Sequence, residues 1–221
     1  MDSNQCIRFV DVSKVYVLED KKVTVFEDLN LDIDPEQITV LIGKSGFGKT
    51  TLLRLLAGLE KPTAGRVHIP ETLRMGMMFQ ESRLMPWLNC LKNVTLGIKN
   101  PDWQEAKAIL KLVGLEGFEK AYPHQLSGGM QQRAALARTL IRKSNLILMD
   151  EPFSALDAFT RKSMQEELLR IQRETHCGIL FVTHDLDEAL KLGDRILVVK
   201  DKSAHEGDHN ELLKEGQFEN E

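Results

Sequence analysis

The spacing G-x-x-x-x-G-K-[ST] falls on Gly43, Gly48, Lys49 and Thr50, with Lys44, Ser45, Gly46 and Phe47 between the glycines and Thr51 just after. An apolar run, ITVLI, precedes it and a leucine-rich run follows, so the motif predicts a strand, a tight loop and a helix. Glycines in such a loop let successive backbone N–H groups turn inward around an anion, and the helix behind adds its positive end. Lys49 can reach β- and γ-phosphates as a point charge, and the Thr50 hydroxyl suits Mg²⁺. The chemistry on offer is the binding of a phosphate chain.

Two further stretches fit that chemistry. NLILMDE, Asn145 to Glu151, is a buried-strand pattern ending in two acids. Asp150 at the strand end suits the metal held by Thr50, and Glu151 can polarise a water for in-line attack on a terminal phosphate. LSGGMQQR, Leu126 to Arg133, places Ser127 where it can cap a long helix, with Gly128 and Gly129 exposing backbone N–H groups. This is a second potential anion site in one chain.

The elements that must hold these residues alternate. Residues up to about 40 read as β-strands, CIRFVDVSKVYVL and KVTVFEDLNLDI, before the strand Ile38 to Ile42. The glycine-rich loop leads into a helix whose Leu52, Leu53, Leu55, Leu56 and Leu59 form a broad apolar face. Beyond residue 125, helices and short apolar strands alternate: GGMQQRAALARTLIRK, NLILMDE, FTRKSMQEELLRIQRETH, GILFVTH, DLDEALKLG, DRILVV. That order predicts an α/β fold with a parallel core sheet. The middle, about 81–133, reads as a helical subdomain, and 201–221 as a polar, solvated tail. His205 and His209, four apart, have the spacing of a helical metal pair, although the composition around them reads as solvated tail.

The chain has 221 residues, 42% hydrophobic and 28% charged, which suits one domain with a smaller lobe. A formal net charge of −4 argues against nucleic acid as a partner. No apolar run is long enough to span a bilayer, and MDSNQCIRF lacks the features of a secretory signal. Cys6, Cys90 and Cys177 are scattered and lack ligand spacing, as expected of thiols in a reducing cytosol.

In motif order and over roughly residues 7 to 200, the chain resembles the ATP-binding cassette (ABC) ATPase family. GKSGFGKT looks like its P-loop, Gln80 in MMFQES like its Q-loop glutamine, and LSGGM like its signature motif. LILMDE resembles its Walker B strand, SALD (Ser154 to Asp157) its D-loop, and His184 in FVTHD its switch histidine. Tyr16 in SKVY matches the aromatic that stacks on adenine. The resemblance implies a P-loop NTPase fold of the ABC type, with an N-terminal antiparallel β subdomain, in a single domain over 1–221.

It also implies ATP and Mg²⁺ as the bound species. Gly43 through Thr51, Tyr16, Ser127, Gly128 and Gly129 would bind nucleotide; Thr50, Gln80 and Asp150 would hold the metal; Glu151, His184 and Gln80 would serve catalysis. Two such subunits, expected as a homodimer, pair head to tail, so that Ser127 and Gly129 of one close over the γ-phosphate held by the other.

The repair type of this family carries a long coiled-coil insertion and the translation type fuses two cassettes; neither is present. A transport motor is therefore expected, with membrane-spanning permease subunits on other chains. The segment FQESRLMPWLNCLKNVTLGIK looks most like the nitrate/sulfonate/taurine branch of bacterial importers, which also use an extracytoplasmic binding protein. That branch implies a place on the cytoplasmic face of the membrane, with Met85, Pro86 and Trp87 near a permease helix; Trp87 could equally fill the lobe's core. An exporter or lipoprotein-releasing motor and a soluble ATP-gated switch are the other readings. Phe47 departs from the branch, which has a small residue there.

Overall fold

The computed structural model describes residues 6–19, 21–154 and 156–207. In chain order the strands are β1 (Ile7–Leu18), β2 (Lys21–Ile33), β3 (Ile38–Ile42), β4 (Ala64–His68), β5 (Met75–Met78), β6 (Leu146–Asp150), β7 (Gly178–Val182), β8 (Arg195–Lys200) and β9 (Ser203–Glu206). The α-helices are α1 (Lys49–Leu56), α2 (Cys90–Val94), α3 (Trp103–Leu112), α4 (Gly128–Leu140), α5 (Ala158–Thr175) and α6 (Leu186–Leu192). These elements divide into two compact units. The first runs up to Leu73 and resumes at Gly178; the second runs from Arg74 to Cys177.

In the first unit β2, β1 and β4 form an antiparallel sheet in that order. Alternation drives it: Ile7, Phe9 and Val12 of β1 and Phe26, Leu29, Leu31 and Ile33 of β2 are buried. The pairing slips between Phe9 and Lys14, where Asp11 has φ 49°, and the slip is held by Asn30, which donates to the Asp11 carboxylate at 2.9 Å. The same unit places β3 between β7 and β8, both parallel to it, with β9 antiparallel outside β8. All five residues of β3 and all five of β7 are buried, as strands covered on both faces require.

In the second unit β5 pairs with β6 in parallel, and Gly76 of β5 leaves room for the Thr139 methyl of α4. Ala106 and Leu110 of α3, with Val113 and Leu115 beyond it, are buried. Asp102 caps α3 by accepting from the backbone N–H groups of Gln104 and Glu105. The buried Asn93 shapes the preceding loop, donating to the carbonyls of Met85 and Leu88 and accepting from Met85 N. Trp87 in that loop is 71% exposed, so it does not fill the lobe's core.

The fold expected from the sequence is present: parallel strands, an antiparallel N-terminal sheet and helices. Three details differ. Ser203–Glu206 is a strand in place of solvated tail, because its backbone completes the β8 edge and Ala204 is buried there. His205 therefore lies on a strand, while His209 and the rest of 208–221 lie outside the described residues. The expected helical lobe over 81–133 is helical only in α2, α3, a 3-10 turn at Pro123–Gln125 and the start of α4, and the compact unit that contains it extends from 74 to 177. Leu59 is 60% exposed because α1 ends at Leu56.

Candidate functional site: a phosphate cradle in one unit, an acidic turn and a capped helix in the other

The cradle is built where β3 ends. Gly43 follows Ile42 with φ 144°, and a Cβ there would fall on the Val199 carbonyl of neighbouring β8. Gly48, at φ 105°, is the N-cap of α1, and a Cβ there would strike Val25 of β2. Gly46 has φ 85° and open space around it. Thus two glycines are demanded by close approach and one lines the open mouth.

Lys49 opens α1 yet is buried, its ammonium donating to the carbonyls of Gly43 at 2.5 Å and Lys44 at 3.1 Å. A buried cation held inside a glycine-rich loop at a helix start suits a polyanion. Thr50 and Thr51 follow in the first turn of α1, and Lys44 and Ser45 are exposed at the loop's rim. Phe47 is half-buried, and its side chain lines a cavity of about 460 Å³ together with Val23, Val25, Glu27 and Lys202.

His184 belongs to the same unit and the same sheet end. β7 pairs with β3 up to Val182 opposite Leu41, so His184 and Gly43 leave adjacent strands at their carboxyl ends. Its turn is fixed on both sides. The Thr183 hydroxyl donates to the buried Glu188 at 2.7 Å and accepts from Asp185 N, while Asp185 caps α6. His184 itself is exposed. Tyr16 lies on β1 opposite Val23, with its hydroxyl 2.5 Å from Glu60 and 3.4 Å from the Thr51 hydroxyl.

The second unit holds the acids. Asp150 ends β6, and Glu151 follows it in the left-handed region at φ 45°. A non-glycine residue there costs on the order of 1–3 kcal/mol, so the surroundings must enforce it. Ser154 does so in part: its hydroxyl donates to the Glu151 carbonyl at 2.9 Å, and its backbone N–H donates to the same oxygen at 3.3 Å. The amide of Gln80 donates to that Ser154 hydroxyl at 3.1 Å. Gln80, Ser154 and Glu151 are thereby linked.

Ser127 caps α4, accepting from Met130 N at 3.3 Å, as its position in LSGGM predicts. The two glycines after it have different reasons to be there. A Cβ on Gly129 would collide with the Thr160 methyl of α5, whereas one on Gly128 would make ordinary contact with Leu156. The next residues of α4 grip the Q-loop. Gln132 donates to the Gln80 carbonyl at 2.7 Å, Ser82 donates to Gln131 at 3.1 Å, and Arg138 donates to the carbonyls of Ser82 and Arg83. Sequence reasoning placed Ser154 in the D-loop-like SALD without giving it a partner, and it gave no role to Gln131, Gln132 or Arg138. The run MQQRAALAR was the available signal, since polar side chains at the start of an apolar helix need partners.

A P-loop cradle, a strand ending in two acids and a separately capped glycine-rich helix together define a P-loop ATPase. Comparison with known proteins makes the assignment specific. Residues 26–154 match the ABC transporter family. An uncharacterised ABC transporter ATP-binding protein of Methanocaldococcus jannaschii is 44% identical, over 94% of this chain and 81% of its own length. Aliphatic sulfonates import ATP-binding proteins of Bacillus subtilis and Rhodococcus jostii are 44% and 52% identical, over 86% and 80% of this chain and 78% and 72% of theirs. A dimeric ATP-binding cassette solved in a post-hydrolysis state with ADP and Pi superposes at a TM-score of 0.78, with 31% identity over 91% of this chain and 98% of that one. The chain belongs to the ABC transporter family and is one of its ATP-binding, ATP-hydrolysing cassettes. Among the described residues, no helix is long and apolar enough to cross a membrane.

Proposed function

We propose that this cassette is the motor of an importer, working as a pair of identical copies at the cytoplasmic face of a membrane beneath permease subunits. The reading is supported by the two units each carrying a helix start of a kind suited to an anion: α1 with the buried Lys49, and α4 with Ser127 as its cap. One nucleotide needs only one cradle. A head-to-tail pair uses both, with the cradle of one copy covered by Ser127 and Gly129 of the other.

The donor set suits Mg²⁺. The Thr50 hydroxyl, the Gln80 amide oxygen and the Asp150 carboxylate are all hard oxygen donors, the type this ion prefers beside substrate phosphates. When bound, the ion would neutralise charge on the phosphates. The chain's own residues do the rest. Backbone N–H groups of Gly43 to Thr51 and the Lys49 ammonium bind the phosphate chain. Tyr16 stacks on the base. Glu151 polarises the attacking water, and His184 holds the γ-phosphate. Gln80 reports the event through α4, whose Gln131, Gln132 and Arg138 hold the segment that follows it.

Relatives named for aliphatic sulfonate import support a small organic anion such as a sulfonate or taurine, or nitrate, as cargo, delivered by an extracytoplasmic binding protein. The exposed Trp87, beside Met85 and Pro86, is offered for a permease helix. The test is proteoliposomes carrying the cassette with its permease, supplied with Mg²⁺-ATP on the cassette side. Movement of the anion toward the cassette side supports import; movement away from it contradicts it. For the cassette free in solution without its permease, the rate of ATP hydrolysis at low protein concentration should rise with the square of cassette concentration, and a strictly linear rise contradicts paired sites.

A further inference from the structure

Tyr16 is tied down more firmly than a half-exposed aromatic on a strand requires. Its hydroxyl donates to Glu60 Oε2 at 2.5 Å, and the same oxygen accepts the Lys14 ammonium at 2.8 Å. That ammonium also stands 4.8 Å from the centre of the Tyr16 ring and donates to the Lys61 carbonyl at 3.0 Å. Arg54 of α1 approaches the other Glu60 oxygen at 3.4 Å. Glu60 lies four residues beyond the end of α1, so this cluster joins β1 to the helix that carries the cradle. The side chains of Lys14 and Glu60 are only 12% and 20% exposed, which places the pair outside the weak class of surface ion pairs.

We propose that Glu60 is the positioning residue of the nucleoside site: with Lys14 it fixes the plane of the Tyr16 ring, so that one face is covered by the cation and the other is presented to the base of ATP. This rests on the reading that Tyr16 stacks on that base. A ring on a strand surface loses torsional freedom when a ligand stacks on it, and a ring already anchored at its hydroxyl has less to lose. The cation covers one face in cation–π geometry and leaves a single face open for stacking.

The ionisation of the cluster fits the role. Hydrogen bonds from Lys14 and Tyr16 hold the Glu60 carboxyl below its ordinary range. Burial, and then the bond to Glu60, raise the Tyr16 hydroxyl above its own. At neutral pH the acceptor is therefore charged and the donor keeps its proton, the stronger combination.

The experiment is calorimetric titration of the full chain with ATP and, separately, with inorganic tripolyphosphate, which lacks the base. Glu60→Ala should weaken ATP by about tenfold while tripolyphosphate stays within about twofold. Glu60→Gln keeps an acceptor for the hydroxyl and should recover most of the loss. Tyr16→Phe removes the hydroxyl alone, and adding Glu60→Ala to it should cost much less than Glu60→Ala costs in the original chain. Equal weakening of both ligands by Glu60→Ala, or fully additive effects, would overturn the positioning role. Tyr16→Ala separates the two readings. If it leaves ATP binding unchanged, the stacking role itself fails; if it weakens ATP while Glu60→Ala does not, only the role of Glu60 fails.

Discussion

Gln80 and Glu151 are joined through one hydroxyl: Ser154 accepts from the Gln80 amide and donates to the Glu151 carbonyl. Glu151 also sits at φ 45°, so the residue expected to polarise water is held in an uncommon backbone geometry by a side chain three positions along. The Q-loop is gripped from its other side by Gln132. A shift of α4 relative to β6 would therefore be felt at both Gln80 and Glu151.

Ser154→Ala removes the bridge without adding bulk. The expected outcome is a fall in kcat of about fivefold to tenfold with ATP affinity within about twofold, because alignment of the acid is lost while the cradle is untouched. Steady-state hydrolysis and a nucleotide titration on the same preparation check both halves. A change confined to affinity would place Ser154 elsewhere in the scheme.

Lys49→Ala removes the buried ammonium that donates to Gly43 and Lys44. Two carbonyls lose a donor and the phosphates lose a counter-charge, so nucleotide affinity should fall by about 100-fold, corresponding to about 2.7 kcal/mol. The fold should persist, since α1 stays anchored by Leu52, Leu53 and Leu56, all with no exposed surface. Fluorescent-nucleotide titration beside a thermal melt separates lost binding from lost structure.

Burial pushes the Cys177 thiol up to about 12 and the Cys90 thiol up to about 11, the latter with help from Glu119. At pH 8 the folded chain holds both as unreactive thiols. Iodoacetamide should therefore modify Cys6, which is half-buried, and spare Cys90 and Cys177 until denaturant is added. The unfolded state ionises near its ordinary value and the folded state does not. Stability should therefore fall as pH rises above about 8.5. Mass spectrometry of labelled peptides, and melting curves from pH 7 to 10, read the two effects.

Much of this was legible before any coordinates. β3 falls on Ile38–Ile42 as expected because four apolar residues around Thr39, bounded by Gln37 and Gly43, leave little choice of limits. Ser127 caps α4 because a serine before a long apolar-periodic run has few better uses. What the sequence could not give is long-range partnership. Nothing in the local pattern around Glu60 points to Tyr16, 44 residues earlier, and nothing near Ser154 points to Gln80, 74 residues earlier. Ser203–Glu206 departs from the expected solvated tail for a related reason. A short polar strand is stabilised by the edge it completes, here β8, and not by its own hydrophobicity.

The central claim is that the cradle at Gly43 to Thr50 and the cap at Ser127 meet around one nucleotide shared by two copies. Glu151→Gln should bind ATP without turning it over, so any paired state accumulates. Light scattering of this variant with Mg²⁺-ATP should give the mass of a dimer, twice the 25.1 kDa chain, and without nucleotide the mass of a monomer. A monomer in both conditions, at concentrations where ATP binding is saturated, would contradict the account.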